Sequence, residues 1–522
     1  MAEWTDPVVI TFGGGINSRR RVSDIDLNEC TDGENFDLDP LFLSLQARKP
    51  FDKVATATNA GSIDGFAQLV DQSGTTSTLI QAGTDVYEWN LASTFTSRGT
   101  VAAGTKLRGW RDHNFTSSQI VIITDINKNE VVKTWDGATF STLAHNLGGS
   151  FYAKYCRVYR ERAFYANVTS GTSTPHLMLG SKIGDYTNLT VTNRPTSSIG
   201  FDAAFYLPIP DLRPINGLAQ AFGEFILSTA KGRLHRLKGV NSFNFDLEEF
   251  HSGSGASGDE GVMEIGNDVL LGLPGRIETL SGIVSYGDVE VDDASLLIWP
   301  NVKTVEKWRI VYDQLSQRVY CFPDSKSLVW VLHKSLIGGA VSPWSKWTTG
   351  HAVDFQPTTV WSMLDSAGLP AVYMGDGSGN IYKFDGTGTK DGGTGGVTIS
   401  RTSRLFTLPP ANVFDVEGWI NYRKRVAATV TLTFLFSGTT IFDEPVTIYL
   451  PATTSGAAYY GGGYFYSTPG TVYGSSFTGR ISRQAFGPVS GHDSFVQVQI
   501  DVSASGPVEI EELGLRFRVA EG

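Results

Sequence analysis

The sequence predicts an all-β protein: a β-propeller of about seven blades, with six also compatible, followed by a β-sandwich-like C-terminal domain. Three observations predict it. Gly is 58 of 522 residues and aromatics are 11%, while charged residues are only 18%, a balance suited to many short strands and tight turns. Helical periodicity is scarce, whereas segments such as 8–12, 430–436 and 495–502 are β-branched and aromatic, and the last two largely alternate. A repeat runs through the first 400 residues.

Each repeat reads as a turn of Gly, Asp, Asn or Lys, an apolar position, variable residues, then an aromatic residue or Leu, often followed by Asp-Gly or Lys-Gly. The anchors are Trp89, Trp135, Tyr186, Leu237, Leu280, Trp330 and Phe384, at intervals of 46, 51, 51, 43, 50 and 54 residues. A period of ~40–50 residues made of strands and turns is that of a propeller, one four-stranded blade per repeat. The third and fifth copies are weak, which leaves six blades compatible. Aromatic anchors at blade period are expected to pack between blades rather than to stack sugars.

Taken in order, residues 1–50 read as an N-terminal arm. In it Arg19, Arg20 and Arg21 precede seven acids and no base over 23–39. Residues 51–390 carry the repeat. The Gly-rich stretch 387–396 resembles a linker. Beyond it, residues 401–522 hold 10 acids and 9 bases, against 43 acids and 33 bases in 1–400, so a separate domain is expected there. Within that domain 452–479 is an uncharged insertion of Gly, Ser, Thr and Tyr, longer than a hairpin connection needs. Tyr459, Tyr460, Tyr464, Phe465 and Tyr466 are its candidate anchors for an interface or channel-tip contact, since Tyr adds contact area at low ordering cost.

The net charge is −11 with a pI near 5.3, which argues against a protein whose task is to grip nucleic acid. Cys30, Cys156 and Cys321 are odd in number and far apart, so neither a disulfide framework nor a zinc knuckle is expected, and a reducing assembly compartment fits. No secretory signal or membrane span is expected, and the N-x-Thr triplets at Asn114, Asn167 and Asn188 read as chance.

Local chemistry is thin. Gly253, Gly255 and Gly258 match G-x-G-x-x-G, but no helix is expected after them, so the segment reads as a flexible loop. Asp24-x-Asp26-x-Asn28 and Asp125-x-Asn127-x-Asn129 imitate a calcium loop. They lack its glycine and closing glutamate and read as Asx turns. No nucleophile elbow, phosphate loop or zinc motif occurs, so neither an enzyme, a metal nor a cofactor is expected. The two basic triplets, Arg19–Arg21 and Arg423, Lys424 and Arg425, are candidate contacts for phosphate or an acidic partner, or else charges guarding a strand edge.

Taken together, several stretches resemble a known group. They are 34–39 with 46–51, 221–237, Gly261 with Val262, 272–277, 318–323 with 328–331, 343–347, 375–385 and the strands of 495–519. In this order they resemble the hub or nozzle proteins of short-tailed bacteriophages, also called packaged-DNA stabilisation proteins. The resemblance implies a propeller with an added β-domain and no catalytic residues. It implies a homo-hexamer in the virion tail, assembled in the host cytoplasm below the portal and adaptor rings. Such a hexamer retains packaged DNA and conducts it at ejection. The implied partners are other copies, an adaptor or head-completion protein, tail fibre, spike or needle components, and double-stranded DNA in transit. The 452–479 insertion departs from the group, so a gating role is not carried over. On physical grounds, a conduit with few cations avoids multi-contact phosphate binding. The alternatives are a propeller that binds or cleaves carbohydrate on a virion or cell surface, which needs two carboxylates in its funnel, and a cytosolic scaffold.

Overall fold

The structure, a computed structural model, describes residues 6–38, 44–71, 73–115, 118–190, 202–221, 223–230, 232–280, 282–283, 288–289, 292–324, 326–337, 342–348, 356–384, 390–391, 395–407, 414–424, 428–436, 439–440, 446–450, 458–460, 464–466, 482–491, 495–504 and 508–519.

Among the described residues, seven antiparallel four-stranded blades follow one another. The first two, 63–100 and 107–142, are joined by one parallel pairing, Arg108 with Phe66. Blades 3 to 6 span 151–208, 215–252, 262–293 and 308–348. Blade 7 takes three strands from 359–383 and its outer strand, Asp52–Thr56, from ahead of blade 1. Inner strands touch in succession from blade 1 to blade 7, and Thr359–Leu364 returns to Ile63–Val70. The ring is therefore closed, with a borrowed strand fastening its ends. Seven blades settle the count that the weak third and fifth repeats left open.

The repeat is legible because the anchors mark the spaces between blades. Trp89 packs with Met363, Tyr373 and Ile381 between blades 7 and 1. Its ring meets Tyr373 edge-on at 5.6 Å. Trp135 fills the gap between blades 1 and 2, Leu237 that between 3 and 4, and Leu280 that between 4 and 5. Trp330 and Phe384 serve the next two gaps. Even Tyr186, which lies outside a strand, packs against the cluster between blades 2 and 3. A wedge-shaped gap recurs with each blade, so a bulky apolar side chain recurs with it.

Glycine is used here as well as in turns. A Cβ at Gly109 would overlap the Ala67 side chain, and one at Gly375 would overlap Ile63. These residues let neighbouring blades approach more closely than any side chain would allow.

The C-terminal domain is a sandwich of two sheets. One contains Phe414–Lys424 between Val508–Val519 and Ser482–Gly491; the other contains Thr398–Thr402, Phe495–Ala504, Ala428–Phe436 and Val446–Leu450. Val430, Leu432 and Phe434 alternate inward to meet Ile420, Leu513, Leu515 and Phe517.

The N-terminal segment corrects the expectation of an arm. Val8–Ile10 and the hairpin Phe36–Leu38/Leu45–Ala47 pair with Val508–Val519, and Asp32–Glu34 pairs with Thr398–Thr402. Between these strands the chain crosses blade 6: Gly15 and Ile16 donate to the Ser342 and Trp344 carbonyls at 2.7 and 2.8 Å. Ile10, Phe12, Ile16, Phe36 and Leu45 belong to one hydrophobic core shared with Trp308, Trp330 and Trp344 of the propeller and Val430 and Ile500 of the sandwich. Three of the seven acids in the run that suggested a solvated arm pair with cations of blade 6. Lys346 meets Asp32 at 2.8 Å and Glu34 at 3.2 Å, and Arg318 meets Asp37. Three-residue strands are too short to show an alternation, so the acids dominated the pattern.

Candidate functional site

The centre of the propeller is occupied by residues 253–261, the loop between blades 4 and 5. The segment that resembled a dinucleotide loop forms no helix, and it is not a flexible surface loop either. Ser254 and Ala256 are buried. The Ala256 amide donates to Ser228 Oγ at 2.9 Å, and the Asn216 side chain donates to the Ala256 carbonyl.

Its two acids reach the surrounding inner strands. Glu260 accepts from Arg108 of blade 2 and, at 2.7 Å, from Nε of Arg309 of blade 6. Asp259 meets Lys154 Nζ at 3.2 Å and accepts from the Tyr155 hydroxyl at 2.7 Å, both in blade 3. The two arginines extend the network. Arg108 donates to the Asp64 carbonyl of blade 1 at 2.9 Å, and Arg309 donates to the Pro357 carbonyl ahead of blade 7. Close by, Arg157 of blade 3 meets Glu264 of blade 5 at 3.3 Å and lies over the Trp110 ring at 4.8 Å. A segment that touches the inner strands of blades 2, 3, 4 and 6 and leads into blade 5 lies across the axis those strands surround.

The electrostatics favour fixed charges. Burial pushes the Glu260 carboxyl up, but Arg108 and Arg309 outweigh it and hold it below the usual glutamate range. Burial, then the adjacent Asp259 carboxylate, pushes the Tyr155 hydroxyl well up. Glu260 is thus kept ionised at neutral pH and is ill placed to give up a proton as a general acid. The calcium-loop imitations behave as turns. Asp125 accepts from the amides of Lys106, Asn127, Asn129 and Glu130, and Glu29 accepts from Asn17 and from the Ser342 amide. Among the described residues no group of three or more His, Cys, Asp or Glu is placed to hold a metal ion.

The other candidates are scattered. Arg19, Arg20 and Arg21 are exposed at the end of the crossing over blade 6. Arg423 and Lys424 end the strand Phe414–Lys424, opposite Glu509 and Val508, and Arg425 lies outside the described residues. Among the described pairings Arg423 and Lys424 are matched on one side only, by Val508–Val519, because pairing with Ser482–Gly491 ends at Tyr422. No described contact joins the two triplets. Of the 452–479 insertion, 458–460 and 464–466 pair as a small hairpin, Tyr459 opposite Phe465 and Tyr460 opposite Tyr464, separate from both sandwich sheets; the rest lies outside the described residues. All three cysteines are buried and unpaired, and burial raises the Cys30 thiol to about 11. Among the described residues no helix is long and apolar enough to cross a membrane.

Sequence reasoning missed two polar centres. One is the axial Asp259 and Glu260, whose only signal was a pair of acids closing a Gly/Ser run. The other is Arg48, fully buried, which donates to Asp391 Oδ1 at 2.8 Å and to Asn35 Oδ1 at 3.0 Å. It sits over the rings of Trp347 and Phe51 and so ties the N-terminal segment to blade 6 and to residues beyond blade 7. Nothing local marks an arginine for burial.

No family model matches the chain, and no curated protein does. Solved structures resemble it at low identity. The extracellular domain of a one-component system from B. thetaiotaomicron has a TM-score of 0.41 at 11% identity, over 64% of this chain and 39% of that one. The WD40 domain of Toxoplasma gondii coronin has a TM-score of 0.38 at 9% identity, over 68% and 86%. The computationally designed Ika8 protein has a TM-score of 0.35 at 11% identity, over 64% and 99%. This chain therefore spans about two fifths of the B. thetaiotaomicron domain.

Proposed function

We propose that this chain is a structural protein of a short phage tail, forming a hexameric hub or nozzle below the portal and adaptor that retains packaged DNA and conducts it during ejection. The observation that carries this reading is mechanical. Propeller and sandwich share one hydrophobic core through the N-terminal segment, and the propeller axis is closed by the clamped 253–261 loop. Such a unit is a block whose axis, among the described residues, is crossed by a bonded loop. DNA would then pass between copies, not through a propeller, and the net negative charge of the chain as a whole disfavours extensive phosphate binding. The role is structural rather than catalytic. Other copies, an adaptor protein and fibre, spike or needle components are its partners.

The carbohydrate reading has one observation in its favour, the neighbouring Asp259 and Glu260 at the axis. Both are engaged by cations, however, and Glu260 is held ionised, which opposes a general-acid role. Activity on a host polysaccharide that disappears on substituting either acid would support that reading and overturn the structural one. The decisive measurement is a density map of the intact particle with this chain placed: six copies around the tail axis are expected, and one or three would refute the sixfold symmetry.

The 452–479 insertion is assigned to an interface or to the channel tip. Deleting 455–476 should leave the melting curve unchanged, because the hairpin pairs with neither sandwich sheet. Particle assembly or DNA retention should fall. Stable, infectious particles at normal titre would show the insertion to be dispensable.

A further inference from the structure

The arginine triplet adjoins an exposed aromatic residue on a different element. Ser18, immediately before the triplet, donates its amide to the Leu297 carbonyl at 2.9 Å and accepts from the Asn301 side chain at 3.1 Å. Leu297 and Asn301 belong to the short helical insertion between blades 5 and 6, which includes Leu296–Ile298 and Trp299–Val302. On the same insertion Trp299 is 47% exposed and Leu296 40%, and Val22, next to the triplet, is 38% exposed. Lys303 holds its ammonium 5.6 Å from the Trp299 ring. Two acids, Asp24 and Asp26, lie close by, and Arg20 pairs with Asp26 only loosely, at 3.9 Å with both side chains about half exposed. Arginine and tryptophan set among small apolar contacts are the composition of a protein–protein hot spot. A phosphate-binding surface would not place two acids and three apolar side chains among its arginines.

We infer that this patch is the contact through which one copy of the chain binds the next, head to tail. The inference rests on the ring-forming reading above. The chain as a whole carries −11, so a locally basic patch on one copy is attracted by the acidic remainder of another. A ring of the kind proposed above needs each copy to present two different faces to its neighbours, so this patch is set against another face of the next copy rather than against its own duplicate. A contact between different faces of the same chain is heterologous, and heterologous contacts close into rings or run on into filaments.

The test is sedimentation velocity of the purified full-length protein over a wide concentration range, with Arg20→Glu and Trp299→Ala variants. Wild type should assemble beyond a dimer, and added salt should weaken the assembly. Each variant should raise the dissociation constant ~10-fold or more, with an unchanged melting curve because both side chains are exposed. Arg20→Glu should also lose most of the salt dependence. Three results would overturn the inference: variants that assemble like wild type, a wild type that stays monomeric throughout, or one that stops at a dimer. Variants that assemble like wild type would remove this patch while leaving the ring intact. A copy number other than six in the particle map would remove the hexameric reading itself.

Discussion

A chain that begins at residue 51 should fail to build its C-terminal domain. The missing segment supplies strands to both sandwich sheets and buries Ile10, Phe12, Ile16, Phe36 and Leu45 almost completely. At ~1.5–3 kcal/mol for each such side chain, their burial contributes roughly 8–15 kcal/mol, comparable to the whole stability of a typical domain. Truncation also removes Arg48 from beside the buried Asp391 and Asp37 from beside Arg318. Leaving one member of a buried ion pair behind costs about 3–5 kcal/mol. Limited trypsin digestion and near-ultraviolet circular dichroism of the 51–522 chain should reveal a protease-sensitive C-terminal region with its aromatic signal weakened. The propeller keeps its closing strand, Asp52–Thr56, and should survive as a resistant core. If the truncated chain melts and resists trypsin as the full chain does, residues 1–50 are a dispensable arm after all.

Substituting Glu260 should destabilise the propeller more than any other single change at its axis. Glu260→Gln keeps the shape but removes the charge that neutralises Arg108 and Arg309, and Arg108 is itself almost fully buried. A loss of about 3–5 kcal/mol is expected, read as a lower urea midpoint of the propeller transition. Acid should act in the same direction at a defined point. The folded carboxyl is held below its unfolded value, so its stabilisation is complete above the ordinary glutamate range. It is lost as pH falls through the depressed folded value. The variant should therefore lose this part of the acid sensitivity as well as the stability. A Glu260→Gln protein whose urea midpoint matches wild type at neutral pH would show that the axial cluster is not a structural lock.

The blade repeat and the sandwich were legible in the sequence because each depends on local or periodic chemistry. Trp89, Trp135, Trp330 and Phe384 recur because each gap between blades needs a large apolar side chain, and the alternation over 430–434 and 496–502 records which face of a strand is buried. What stayed hidden is what a chain does with residues hundreds of positions apart. The strand Asp52–Thr56 closes blade 7 by pairing with Asn380–Lys383, and its own five residues say only that it is extended. The acids of 23–39 look solvated until Lys346 and Arg318 are brought beside Asp32, Glu34 and Asp37. Glu260 looks like the end of a flexible loop until ring closure carries Arg108 and Arg309 to either side of it. Hydrophobic period survives in the sequence because it is set by the geometry of a single strand or blade. The partner of a charge is set by ring closure and by the packing of one domain on the other, so only the tertiary structure decided which acids here are surface charge and which hold the protein together.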